Sequence, residues 1–188
     1  MITVLLLHGF NGPPPLFKWI KEEVEKLGYH LIMPILPIQD NVRYDAWKKE
    51  FESIRKDLGD ELIVIAHSIG NSFIIKYQNE FNFDIILYIA LAGFSDIFVT
   101  EGRDNLNKAV KDMIPSKEEI NNFKNSIKNK HCIYSIDDHL IPLEILKKHV
   151  ENIKGQEHIL QGVGHMGNRS KLDKLPEIMK IIEEKKFI

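Results

Sequence analysis

The chain has 188 residues and a formal net charge of −2, with 44% hydrophobic and 28% charged residues. This size and composition are typical of one soluble globular domain with a full hydrophobic core, which we assign to residues 1–188. The charge balance argues against nucleic acids and anionic membrane surfaces as partners, because both require clustered Lys and Arg.

Short apolar runs alternate along the chain with segments in which apolar residues recur at helical spacing. The runs predict strands at residues 2–7, 29–33, 62–66, 85–91, 132–136 and 158–160. Helices are predicted between them, and a capping-box pattern at residues 116–119 marks the start of one. The least regular part, residues 94–115, is interpreted as a loop and a short helix that overhang a site.

This alternation predicts an α/β protein: a three-layer α/β/α sandwich with about six mainly parallel strands and helices on both faces. Ligands of such sheets bind beyond the carboxyl ends of the strands. Several chemically distinctive residues follow predicted strands directly, namely His8, Gly9, Ser68, Asp138 and His165. We therefore expect a functional site at that edge of the sheet.

The third predicted strand runs straight into a helix at Ser68, and Gly70 follows two residues later. This is most of the G-x-S-x-G nucleophile elbow, in which a sharp turn presents a serine hydroxyl above the sheet. Ala66 stands where the first glycine of the motif would be. The alternative interpretation is that Ser68 is an ordinary helix N-cap.

A serine nucleophile needs a base to take its proton and a carboxylate to orient that base. Ser68, Asp138 and His165 occur in the chain order that α/β-type serine hydrolases use. Asp137 competes with Asp138 for the acid role, and both could also be solvated turn residues. His165 has a glycine-rich flank, whereas His67 is predicted to be packed rather than catalytic.

Four motifs together resemble the small serine hydrolases of the retinoblastoma-binding protein 9 / YdeN-like family, which have an α/β-hydrolase fold. They are Leu-His-Gly-Phe at 7–10, Ala-His-Ser-Ile-Gly at 66–70, Asp-His-Leu-Ile-Pro at 138–142 and Gly-Val-Gly-His at 162–165. The resemblance implies a compact hydrolase with a minimal lid, and it implies Ser68 as nucleophile, Asp138 as acid and His165 as base. Similar families place the acid four residues before a proline, which favours Asp138 over Asp137.

Attack of a serine on an acyl carbon produces an oxyanion that needs preorganised donors. The backbone N–H of Ile69, directly after the serine, is one predicted donor. The other is predicted from the loop after the first strand, as the backbone N–H of Phe10. The Phe10 side chain could at the same time be a core or rim aromatic.

Two other patterns suggest different chemistry and are not favoured. Residues 162–167 match G-x-G-x-x-G, but a dinucleotide fingerprint must open a strand–helix–strand unit, and only one predicted helix follows here. Asp137, Asp138 and His139 are possible metal ligands, yet no second group of ligands has recognisable spacing. We predict neither a metal nor a cofactor.

The single cysteine, Cys132, excludes an internal disulfide and fits a reducing compartment. It lies in an apolar run, where thiols are usually inert. The N-terminal residues lack the basic lead and cleavage site of a signal peptide, and no apolar run is long enough to span a membrane. These features predict a cytoplasmic protein.

The sequence therefore predicts a serine hydrolase that cleaves small acyl esters through an acyl-enzyme intermediate. The short segment at 94–115 favours short acyl chains over long lipids, and protonation of His165 is expected to reduce activity on the acid side. The alternative is a protein-interaction module that kept the fold and lost useful catalysis, although the sequence supports no particular protein partner.

Overall fold

The computed structural model describes residues 2–59, 61–81, 83–170 and 172–184. Its strands form one six-stranded sheet in the order β2-β1-β3-β4-β5-β6, and every neighbouring pair is parallel. The strands are β1 (Ile2–Leu7), β2 (His30–Ile32), β3 (Glu61–His67), β4 (Ile85–Leu91), β5 (Lys130–Ser135) and β6 (Gln156–Leu160). The predicted α/β architecture is confirmed.

Within the described residues, seven α-helices connect and flank these strands. They are α1 (Leu16–Lys26), α2 (Tyr44–Ile54), α3 (Ile69–Phe81), α4 (Asp104–Met113), α5 (Lys117–Ser126), α6 (Leu143–Ile153) and α7 (Pro176–Glu184). Helix α3 packs against α2, α4 and α5, and α5 packs against α6, so these helices share one face of the sheet. The β1-to-β2 crossover runs in the opposite direction along the sheet, which places α1 on the other face.

Two strands begin two residues earlier than the sequence predicts. β5 starts at Lys130, whose side chain is buried and donates hydrogen bonds to the carbonyls of Lys124 and Ile127. β6 is an edge strand, and its first two residues, Gln156 and Glu157, are exposed. Both starts lie outside the apolar runs, because a lysine can bury its ammonium against carbonyls and an edge strand tolerates polar residues.

The strand order reverses between β1 and β3, since the chain leaves β1 toward β2 and returns past it to β3. Crevices form at such a reversal, because the connections leave the sheet on opposite faces. The loop after β1 contains His8 and Gly9, and Ser68 follows β3 directly. The two loops are therefore neighbours at the edge where the sequence predicts a site.

The core beneath this edge is continuous. Val4 to Leu7 of β1 and Leu62 to Ala66 of β3 are all at most 1% exposed. Trp47, Phe51 and Phe73 join α2 and α3 through edge-to-face aromatic contacts. The loops that carry the site are thus held on rigid, fully packed elements.

Candidate active site

Ser68 occupies a strained turn between β3 and α3. Its backbone has φ of 55°, in the left-handed region that serine rarely adopts. The Ser68 N–H donates to the carbonyl of Leu91 at 2.9 Å, and its own carbonyl accepts from the Asn71 N–H at 3.0 Å. Such strain costs about 1–3 kcal/mol and is concentrated at functional sites. The strand, turn and helix are those of a nucleophile elbow.

Glycines allow the loop after β1 to pack directly on this elbow. A Cβ on Gly70 would lie 2.8 Å from the His8 carbonyl oxygen, and one on Gly9 would lie 3.0 Å from the Ser68 Cβ. Ala66 is fully buried and pairs with Leu7 on one side and with the small Ala90 on the other. The elbow therefore forms although Ala66 replaces the first glycine of the motif.

The structure brings Ser68, His165 and Asp138 together in one hydrogen-bonded chain. His165 Nε2 lies 3.0 Å from Ser68 Oγ, and His165 Nδ1 lies 2.8 Å from Asp138 Oδ2. The side chains of His165 and Asp138 are only 9% and 1% exposed. If Nδ1 donates to the carboxylate, the lone pair of Nε2 faces the serine hydroxyl and can accept its proton.

Asp138 is held ionised for this arrangement. Burial opposes its ionisation, but the hydrogen bond and charge of His165 and the backbone N–H groups of Ile141 and Leu140 together lower the pKa of the carboxyl. Its other oxygen accepts the backbone N–H groups of Leu140 at 2.8 Å and Ile141 at 3.0 Å. These bonds fix the carboxylate, so that it can orient the imidazole.

Asp137 has a different position from its neighbour. Its exposed carboxylate accepts hydrogen bonds from the Ser135 hydroxyl and from the backbone N–H groups of Gly162 at 2.8 Å and Gly164 at 3.2 Å. The Ser135 hydrogen bond, followed by that of Gly162, lowers the pKa of the Asp137 carboxyl. Of the two candidate acids, Asp138 contacts His165, and Asp137 ties down the turn that leads to it.

The sequence did not indicate how this turn is held. Gly162, Gly164 and Met166 have positive φ, at 81°, 59° and 54°. His67 is fully buried, and its Nε2–H donates to the His165 carbonyl at 2.9 Å. Burial lowers the pKa of His67 to about 3, so it stays a neutral donor. His67 is packed, as predicted, but it also positions the backbone of His165.

A buried amide behind the elbow was also missed. Asn71 Nδ2 donates to the Ser68 carbonyl at 2.9 Å, and Asn71 Oδ1 accepts from the Tyr88 hydroxyl at 2.6 Å. The only sequence signal was a polar side chain in the first turn of an apolar helix. This network links the strained turn to β4.

The two predicted oxyanion donors lie beside the serine. Ile69 is the first residue of α3, and Phe10 lines the cavity described below. Neither backbone N–H donates to a carbonyl in the turns, loops and caps of the described residues. A helix's first N–H groups have no partner within the helix, so the Ile69 amide is available to a ligand.

A cavity of about 320 Å³ opens above Ser68 and His165. Residues 94–115 form a loop and α4 that overhang it, as predicted, and contribute Phe98, Arg103 and Leu106. With Leu140 and Ile141 these residues make a largely apolar wall. The polar lining residues of the cavity include Asn11, Gln39, Asn168, Arg169 and Ser170. The cavity therefore offers both apolar and polar surroundings to a substrate at the serine.

The other sequence patterns have structural explanations. Residues 162–167 form the turn that carries His165 and do not open a strand–helix–strand unit. Burial raises the pKa of the Cys132 thiol to about 12, which keeps it unreactive. Among the described residues, no group of three or more His, Cys, Asp or Glu side chains could hold a metal ion. The helices of the described segments are also all too short or too polar to cross a bilayer.

The chain is similar to known proteins in sequence and in structure. The sequence model of the serine hydrolase family matches residues 4–184. A search of curated protein sequences gave no match. The crystal structure of the ydeN gene product from B. subtilis superposes with a TM-score of 0.83 at 19% identity, and 100% of each chain is covered.

Two further solved structures are of carboxylesterases or lipolytic enzymes. A carboxylesterase structure from the thaumarchaeon Nitrososphaera gargenis has a TM-score of 0.73 at 14% identity, covering 97% of this chain and 89% of that one. The metagenome-derived lipolytic enzymes LipS and LipT provide a match with a TM-score of 0.65 at 16% identity, covering 99% and 92%. At these identities the structural matches establish the fold.

Proposed function

Because the chain belongs to the serine hydrolase family, we propose that it hydrolyses small acyl esters with Ser68 as nucleophile, His165 as base and Asp138 as orienting acid. The observation that carries this proposal is the continuous Ser68–His165–Asp138 hydrogen-bonded chain at the floor of a cavity. The carboxylesterase and lipolytic descriptions of the structural neighbours favour esters within the wider class of hydrolase substrates.

The first half of the reaction forms an acyl-enzyme. Ser68 Oγ attacks the acyl carbon while His165 Nε2 takes the hydroxyl proton, and Asp138 stabilises the resulting imidazolium. The carbonyl oxygen becomes an oxyanion, and we assign its donors as the backbone N–H groups of Phe10 and Ile69. The bond to the leaving alkoxide then breaks, and that oxygen receives the proton from His165.

The second half of the reaction consumes water. His165 takes a proton from a water molecule, and the hydroxide oxygen attacks the acyl carbon of the Ser68 ester. A second oxyanion forms at the same donors and collapses, so that the bond to Ser68 Oγ breaks. The serine recovers its proton from His165, and the carboxylic acid leaves.

The size of the cavity supports a small substrate. Its volume of about 320 Å³ is at the lower end of the range for small-molecule sites. Leu106 and Phe98 close the apolar wall above the serine. We therefore propose that rates fall as the acyl chain lengthens.

Labelling with a fluorescent fluorophosphonate tests the proposal, because this probe reacts only with an activated serine. We expect labelling of the wild type and none of Ser68→Ala or His165→Ala, with circular dichroism as the control for folding. Turnover of para-nitrophenyl esters from acetate to laurate tests the chain-length preference. Persistent labelling of folded Ser68→Ala would contradict the assignment, and an unlabelled folded wild type would support a binding module instead.

A further inference from the structure

Arg103 is an unusual member of the apolar wall of the cavity. It directly precedes α4 and is half-buried. Leu106, three residues along the chain and therefore on the same side of the helix start, also lines the cavity, and so does Phe98. A permanently charged side chain in such surroundings has lost part of its hydration, which is unfavourable unless a partner replaces it.

The described part of the chain supplies no such partner. It has four arginines, and the two outside the cavity are satisfied: Arg43 donates to the Val42 carbonyl, and Arg55 donates to the Phe81 carbonyl and stacks on its ring. Arg103 and Arg169 both line the cavity. Within residues 2–59, 61–81, 83–170 and 172–184, no side-chain hydrogen bond, ion pair or ring contact satisfies either guanidinium.

The charge of the cavity differs from that of the whole protein. None of its lining residues is an aspartate or glutamate, although the net charge of the chain is −2. The two arginines therefore make the cavity locally positive, and its low-dielectric wall strengthens their attraction for an anion. Arg169 is exposed, so solvent screens it, whereas Arg103 is half-buried.

We propose that the preferred substrates are acyl esters whose acyl chain ends in a carboxylate, and that Arg103 binds this carboxylate. The inference rests on the ester hydrolysis proposed above and specifies its substrate class, the monoesters of short dicarboxylic acids. The methylene groups of the acyl chain lie along the apolar wall, between the ester carbonyl at Ser68 and the guanidinium. Arginine suits this task because its planar donors match a carboxylate in a bidentate pair.

A matched pair of substrates tests the proposal. The mono-para-nitrophenyl ester of adipic acid and para-nitrophenyl hexanoate have acyl chains of the same length and differ only in the terminal carboxylate. We expect the wild type to prefer the adipate ester by about tenfold or more in kcat/KM. In Arg103→Gln, we expect the adipate-to-hexanoate ratio of kcat/KM to fall by about 10- to 100-fold, as the loss of a charged hydrogen-bonded pair implies.

Arg169→Gln is the matched control, because it removes the same charge from the exposed side of the same cavity. The adipate-to-hexanoate ratio of kcat/KM in Arg169→Gln should differ from that of the wild type by less than about threefold. A wild-type adipate-to-hexanoate ratio near one overturns the proposal. An equal fall of this ratio in Arg103→Gln and Arg169→Gln also overturns it, because the preference would then come from the general positive charge of the cavity. In both of these outcomes, hexanoate turnover by the wild type that is lost in Ser68→Ala would still support ester hydrolysis at Ser68. Turnover of neither ester above the Ser68→Ala background overturns the function and the substrate class together.

Discussion

Two serine–histidine contacts lie side by side in this molecule. Ser68 Oγ is 3.0 Å from His165 Nε2, at the end of β3, and Ser95 Oγ is 3.1 Å from His149 Nδ1, just beyond the neighbouring strand β4. All four side chains are buried. By distance and burial alone, either contact could be interpreted as a nucleophile and its base.

The surroundings distinguish the two pairs. His165 contacts the Asp138 carboxylate through its second nitrogen, whereas the second nitrogen of His149 has no partner among the described residues. That nitrogen faces Gly93, where an added Cβ would lie only 2.7 Å away. Ser95 accepts a hydrogen bond from Asn152 and is not among the residues that line the cavity above Ser68. Catalysis therefore requires an orienting carboxylate, a strained turn that presents the serine, and access for a substrate, in addition to the Ser–His contact.

The largest expected effect separates the two serines. We predict that Ser68→Ala lowers kcat for a short para-nitrophenyl ester by about 10⁴- to 10⁶-fold, as the loss of a triad serine does. Ser95→Ala removes a hydroxyl whose hydrogen bonds, among the described residues, are to His149 and Asn152, so kcat should stay within about threefold of the wild type. Steady-state kinetics measure both. A large loss in a stably folded Ser95→Ala would mean that the second pair also acts in the reaction.

The two neighbouring aspartates are expected to differ in a similar way. Asp138→Asn keeps the shape but removes the charge that orients His165, and we predict a loss of about 10⁴-fold in kcat. Asp137→Asn weakens the anchor at Gly162 and Gly164, so the imidazole is held less accurately and kcat falls by about tenfold. The same kinetic assay compares them. Equal losses would contradict the separation of roles, and Asp137→Glu should recover part of the loss if anchoring is the cause.

The sequence was sufficient to predict the fold and the proximity of Ser68 to His165. Alternating apolar runs locate a parallel sheet, and Ser68, Asp138 and His165 each lie within five residues after the end of a strand. The family resemblance then favours Asp138 over Asp137, and the structure joins Asp138 to His165. These features are local in the chain, which is why a pattern can report them.

What the sequence could not indicate depends on contacts between distant segments. The Ser95–His149 contact joins residues 54 positions apart, with no motif at either end. Asp137 reaches Gly162 only because the turns after β5 and β6 meet at one edge of the sheet. The guanidinium of Arg103 has no partner among the described residues, and this is recognised only when the folded structure shows the cavity that it lines. Such features follow from tertiary packing, which the hydrophobic periodicity of the sequence does not report.

The smallest expected effect concerns stability and pH in the second pair. Burial lowers the pKa of His149 to about 3, whereas a histidine in the unfolded chain titrates near 6.5. Between these values the unfolded state binds a proton that the folded state does not, so the free energy of unfolding falls as pH decreases through this window. At pH 4.5 one such group costs about 2–3 kcal/mol. The lowered pKa of His67 also reduces the free energy of unfolding as the pH decreases through this window.

We therefore predict that His149→Asn, which retains a polar atom near Ser95 but cannot titrate, loses about 2–3 kcal/mol less stability than the wild type between pH 7 and pH 4.5. Urea unfolding at several pH values measures the slope. Ser95→Ala is the control, because it removes the partner of His149 and leaves the buried imidazole in place, so its slope should parallel the wild type. Parallel slopes for wild type and His149→Asn would show that His149 takes up a proton in the folded protein. His149 would then be protonated within the folded protein. The lack of catalysis at Ser95 would in that case follow from the missing carboxylate and cavity, and not from an imidazole that stays neutral.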